Sequence, residues 1–133
     1  MNNSMDISGY KGRQDEIRDL KIFSELEVIE NQYKDKDYTI EIKNNELTTI
    51  CPKTGLPDFA TIVICYKPRE HLVEQKSLKL YLNGYRNIGI FQEHVTNKIM
   101  EDFIDKVTPK WVKIETRWNA RGGIEVKVQR EYP

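Results

Sequence analysis

The 133 residues suit one domain, and 21 basic against 21 acidic residues leave a formal net charge of zero, which excludes a bulk electrostatic case for binding nucleic acid or an anionic membrane. Hydrophobic residues make up 38% and charged residues 32%, a balance that suits a well-solvated domain or a small subunit that completes its core by oligomerising. No apolar run approaches the roughly 20 residues that cross a bilayer, and the first residues hold no apolar signal core, so a cytoplasmic protein with reduced Cys51 and Cys65 is expected.

Residues 1–20 are polar and of mixed charge and read as a loose arm, leaving 21–133 as a single domain. Tyr38 to Ile42 reads as a strand, Asn44-Asn45 as a turn, and Leu47 to Ile50 as a second short run. Pro52, Gly55 and Pro57 force a turning loop over 51–58. The apolar run from Phe59 to Lys67 follows as a strand that Pro68 stops, with Cys65 inside it as core packing. His71 falls in a surface loop after Pro68.

Leu78, Tyr81, Leu82 and Tyr85 share one face of a short helix over 77–86, capped by Ser77. Val95, Ile99, Phe103, Ile104 and Val107 repeat at helical spacing, giving an amphipathic helix over 92–107 that ends before Pro109. Val112, Ile114, Thr116 and Trp118 alternate, as do Ile124, Val126 and Val128, so two strands close the chain around a connection over 119–123. The order predicts an α+β domain: an antiparallel sheet with two helices on one face. The tryptophans and tyrosines are expected in sheet and interface packing.

The chemistry concentrates in Cys51-Pro-Lys-Thr-Gly-Leu-Pro-Asp58. A thiol and a carboxyl group on a turn at the mouth of a core strand suit covalent catalysis with a proton donor beside it. An ionised Asp58 close to Cys51 would raise the thiol's pKa, so Asp58 is suited to act as a protonated donor or as the base that first takes the thiol proton. A zinc site drawn from Cys51, Cys65, His71 and His94 is the metal alternative, but no C-x-x-C or H-x-x-x-H spacing supports it, so no metal is expected.

Three segments resemble one family: residues 51–60, residues 73–81 (Val-Glu-Gln-Lys-Ser-Leu-Lys-Leu-Tyr) and residues 91–97 (Phe-Gln-Glu-His-Val-Thr-Asn), followed by Arg121-Gly-Gly-Ile124. Over about residues 38–128 the chain is similar to the short, single-domain form of 7-cyano-7-deazaguanine reductase, the NADPH-dependent nitrile reductase of queuosine biosynthesis. The resemblance implies the tunnelling fold shared with GTP cyclohydrolase I, and homo-oligomeric rings with active sites between neighbours. It implies that Cys51 attacks the nitrile to form a thioimide and that Asp58 protonates the nitrogen. Two hydrides from NADPH then give the primary amine, with loss of Cys51 between them.

By the same resemblance, Val73, Glu74, Gln75, Gln92 and Glu93 meet the substrate, Glu93 by a bidentate carboxylate contact favoured at a helix start. Gln75, Lys76, Arg121 and Gly122 meet NADPH on a surface without a Rossmann glycine fingerprint. The sequence departs from the family pattern at Gln92, where His is usual, and at Gln75, where Ser or Leu is more common. His94 sits two residues on, turned roughly 200° about a helix, so it does not substitute. Gln92 hydrogen-bonds a base edge but does not shuttle a proton, which bears on rate more than on binding. Two rivals remain at this level: an amidinotransferase relative that forms the thioimide but adds ammonia, and a non-catalytic deazapurine-binding protein.

Overall fold

The computed structural model describes residues 25–133. The arm expected over 1–20 lies outside the described residues. Their elements are β1 (Val28–Glu30), β2 (Ile40–Ile50), β3 (Pro57–Lys67), β4 (His71–Val73), α1 (Gln75–Asn83), a 3-10 turn (Gly84–Asn87), α2 (Gln92–Val107), β5 (Trp111–Arg121) and β6 (Ile124–Tyr132). Antiparallel pairing in the order β2-β3-β5-β6 makes a four-stranded sheet, and β1 pairs with β4 in a separate ribbon.

The sheet has one dry and one wet face because its strands alternate. Ala60, Ile62, Ile64 and Tyr66 of β3, with Val112, Ile114 and Trp118 of β5, are buried beneath the helices. Leu78, Tyr81 and Leu82 of α1 and Val95, Ile99, Met100, Phe103 and Val107 of α2 complete the core from the other side. Phe103 meets Tyr66 edge to face at 5.0 Å. Two buried threonines tie the layers together, Thr96 and Thr116 lying 2.6 Å apart through their hydroxyls. On the opposite face Glu41, Lys43, Lys113, Glu115 and Arg117 line an open groove.

The α+β architecture and the span of α2 are as expected, and four local expectations are corrected. Residues 40–50 form one strand: a bulge between Asn44 and Leu47 replaces the turn. It shifts the alternation by one residue, so Ile42 and Leu47 both face the core. Helix α1 starts two residues earlier, with Glu74 as its cap, and Ser77 lies inside the first turn. Cys65 is not core packing; it is half-buried on the open face between Glu41 of β2 and Lys113 of β5, its register partners. His71 is not in a loop but pairs with Glu30 in the β1–β4 ribbon.

Candidate active site

The loop after β2 is a tight hairpin turn. Cys51 N donates to Leu56 O at 2.8 Å, and Gly55 N donates back to Cys51 O at 2.9 Å. The turn closes through Gly55 at φ +74°, a left-handed conformation that favours glycine. Pro52 is buried beneath it and has no N–H of its own, so the next free donors are those of Lys53 and Thr54. These donors meet the thiol. Burial pushes the Cys51 pKa up, but the Thr54 side chain and the Thr54 and Lys53 N–H groups hold the thiolate. The net result lies below the ordinary thiol value, although the Asp58 charge opposes it.

Asp58 stands at the start of β3 on the dry face, nearly buried. Arg121, at the end of β5, donates from Nη1 to Asp58 Oδ1 at 2.6 Å and to Pro57 O at 2.6 Å. Burial raises the Asp58 pKa, and the Arg121 guanidinium works against that rise. Burial disfavours the charged form of this carboxyl group and the cation favours it, an environment that makes Asp58 a candidate for proton transfer.

Gln92 and Glu93 arrive at the same end of the sheet by a different route. The segment before α2 runs beside the end of β2: Ile50 N donates to Ile88 O at 2.9 Å, and Ile90 N donates to Ile50 O at 3.1 Å. Phe91 then begins α2, so Gln92 and Glu93 open the helix next to the Cys51 turn. Glu93 is exposed in the first turn, where the helix dipole favours a carboxylate. Gly122 follows Arg121 in the β5–β6 turn at φ +59°.

Val73, Glu74, Gln75 and Lys76 are elsewhere. Val73 N donates to the hydroxyl of Tyr66, at the far end of β3 from Asp58. Eight steps of strand lead from Asp58 to Tyr66, roughly 25 Å. Glu74 caps α1 there, accepting from Ser77 N at 2.7 Å and Lys76 N at 3.0 Å. Gln75, Lys76 and Lys79 of α1, with Lys43 of β2, line a groove of about 550 Å³ that also holds Glu41 and Glu46. Within this one chain the residues singled out from the sequence therefore form two groups, one at each end of the sheet. Cys51 lies in the turn after β2 and Cys65 near the other end of β3, and among the described residues no group of three His, Cys, Asp or Glu side chains could hold a metal ion.

A family model described as QueF-like protein matches residues 57–133, more than half of the chain. The chain belongs to this family. Among curated QueF-like relatives, one from Chloroherpeton thalassium is 56% identical over 107 residues, covering 80% of this chain and 92% of its own. One from Chlorobaculum tepidum is 50% identical over the same shares, and one from Chlorobium luteolum is 54% identical over 99 residues, 74% of this chain and 85% of its own. All three are named NADPH-dependent 7-cyano-7-deazaguanine reductase. A solved structure of the archaeosine synthase QueF-Like superposes with a TM-score of 0.66 at 24% identity, over 70% of this chain and 91% of that one. That likeness establishes the tunnelling-type fold for this QueF-like chain.

Two features of the site were not visible in the QueF-like sequence. Thr54 as a thiolate partner could have been suspected, because a threonine hydroxyl in a tight turn commonly bonds to groups of that turn. The Arg121–Asp58 pair spans 63 residues and left no local signal.

Proposed function

We propose that this chain is an NADPH-dependent reductase of 7-cyano-7-deazaguanine, acting in queuosine biosynthesis, whose active site is shared between neighbouring subunits. The observation that carries the chemistry is Cys51: a thiol with a lowered pKa, held in a turn of donors at the same sheet end as an acid. A nitrile carbon is a weak electrophile, so the reaction needs a thiolate to reach it. The Cys51 sulfur adds to the carbon, the C≡N bond becomes C=N, and the nitrogen takes a proton that Asp58 has received from the thiol. Thiol and nitrile thus combine into a thioimide with no net change in protons or electrons. Asp58, buried with its pKa raised and with Arg121 opposing that rise, suits both halves of that transfer.

The residues present fit the dinucleotide. Glu74 already occupies the N–H groups that open α1, so phosphate is met by side chains: Lys76 and Lys79 across the groove from Lys43, with Gln75 beside them. Arg121 and the open Gly122-Gly123 turn, where an added Cβ would meet nothing within 4 Å, add a second approach at the Cys51 end. NADPH, when bound, supplies hydride. Glu93 and Gln92 hold the deazapurine edge, with Gln92 as a hydrogen-bonding group only.

The separation of the two groups supports an oligomer. A substrate of purine size cannot touch Cys51 and Val73–Glu74 of one chain across roughly 25 Å, whereas a neighbour presenting its α1 end to this Cys51 end completes the site. A ring with inter-subunit sites satisfies this for every subunit.

Mixing the protein with the nitrile should produce a new thioimide absorbance, and adding NADPH should consume both. Absorbance without NADPH oxidation would overturn the reductase reading and favour an ammonia-adding relative. Binding without either signal would leave a non-catalytic deazapurine-binding protein.

A further inference from the structure

Asp58 has one partner in use and one in reserve. Arg121 holds it in the free subunit, through Nη1 at 2.6 Å. Directly opposite Asp58 in the β2–β3 register stands Thr49, on the same dry face. Thr49 is fully buried, and its hydroxyl has no hydrogen-bond partner. Buried hydroxyls are nearly always paired, so an orphan beside the acid calls for a state in which it is used. Side chains directly opposed across an antiparallel pair have Cβ atoms about 4.5–5.5 Å apart, so a rotamer change brings hydroxyl and carboxyl into contact.

We infer that Asp58 exchanges partners: Arg121 in the free subunit, and the Thr49 hydroxyl when an anionic ligand draws the guanidinium away. Thr49 is then a positioning residue for the acid. The inference rests on reading Arg121 as a contact of the phosphate-bearing cofactor. Exposure favours the exchange, since the Arg121 side chain is 40% exposed and that of Asp58 only 10%, so the cation is the partner free to leave. Guanidinium pairs well with phosphate, and a buried carboxylate left alone is costly. Without Arg121, burial pushes Asp58 toward its protonated form, the form that donates. Thr49 would keep that carboxyl on the dry side, aimed along the sheet end toward the Cys51 turn. The ionisable groups acting on Asp58 among the described residues are Arg121 from β5 and Cys51 from the turn after β2.

The test is a carboxyl-carbon NMR titration of Asp58 in the full chain, with the signal assigned by its loss in Asp58→Asn. In the free wild type Thr49→Val should leave the midpoint unchanged and raise the melting temperature, because it removes an unpaired hydroxyl. In an Arg121→Gln background Thr49→Val should raise the midpoint by about half a pH unit to one unit, a three- to tenfold change in proton affinity, while Thr49→Ser should not. Equal midpoints for Arg121→Gln with Thr49 and with Val would overturn the role of Thr49. Saturating NADP⁺ should move the wild-type midpoint up toward that of Arg121→Gln; NADP⁺ that binds without moving it would overturn the exchange. Failure of NADP⁺ to bind at all would instead sink the cofactor reading, and the paired variants would still decide Thr49.

Discussion

The two ends of the sheet treat a carboxylate in opposite ways. At one end Asp58 is buried and its pKa is raised, with a single cation working against the rise. At the other, Glu74 is half-buried and its pKa is lowered, first by the Ser77 N–H and then by that of Lys76. Burial disfavours the charged form, and hydrogen bonding to the charged form favours it. In the proposed site Asp58 takes part in chemistry, and Glu74 also sets the architecture. Glu74 fixes the start of α1 and thereby the placing of Gln75 and Lys76, the residues through which a neighbouring site would be completed.

The sharpest way to break this division is at Cys51. Cys51→Ala should abolish the thioimide absorbance and turnover while leaving the fold intact, and an absorbance that persists would mean that another group is the nucleophile. Lys76→Ala should also be nearly inactive, for the separate reason that it weakens cofactor binding. Mixed and reassembled in equal amounts, the two inactive proteins should recover about a quarter of wild-type activity, because in a symmetric assembly one site in four draws both intact ends from different chains. No recovery in a verified mixed oligomer would place both ends of the site in one subunit.

Asp58→Asn should be next in size, slowing thioimide formation by about 10²- to 10⁴-fold, the usual contribution of a general acid–base group. Its effect on the bare thiol has the opposite sign. The Asp58 charge pushes the Cys51 pKa up, so removing it should lower that pKa and speed alkylation by iodoacetamide at neutral pH. Both rates falling together would point to a collapsed turn and not to a lost acid.

The thiol and the acid were legible in the sequence because they sit on one turn, where Pro52, Gly55 and Pro57 leave few alternatives. Helix α2 was legible to the residue, since its apolar period and Pro109 agree. The start of α1 was not: Ser77 is a good cap by type, but Glu74, three residues earlier, accepts from the Lys76 and Ser77 N–H groups, and Ser77 Oγ donates back to Glu74 O at 2.7 Å. The strands β1 and β4 were missed because three residues carry no period, and they exist only by pairing with each other. Asn44-Asn45 has the composition of a turn, yet the pairing with β3 on both sides makes it a bulge. Apart from the local change of cap at α1, a long-range pairing overruled a local preference in each case, and the split of the site between two ends follows from such pairings.

A smaller effect is expected from Thr54→Val. The Thr54 side chain helps to hold the Cys51 thiolate, so its loss should raise the thiol pKa by about half a unit, cutting alkylation at neutral pH roughly threefold. The pH profile of iodoacetamide reaction should shift without changing its plateau. A profile that does not move would assign the lowered pKa to the Lys53 and Thr54 N–H groups, which the substitution keeps.

The smallest effect belongs to the other end. Because the folded pKa of Glu74 lies below the ordinary 4.5, its contribution to stability is fully present above that value and fades as the pH falls through the lower folded one. Asp58, with its pKa raised, runs the other way, since deprotonation in the folded state is resisted. Amide exchange at Lys76 and Ser77, corrected for its intrinsic pH dependence, should therefore lose protection on mild acidification before the core strands do. Glu74→Gln should lose that pH dependence and keep part of the protection, since an amide oxygen still accepts from one of the two N–H groups. If protection at Ser77 instead follows the unfolding of β3, the cap has no independent role, and α1 is held in place by Leu78, Tyr81 and Leu82 alone.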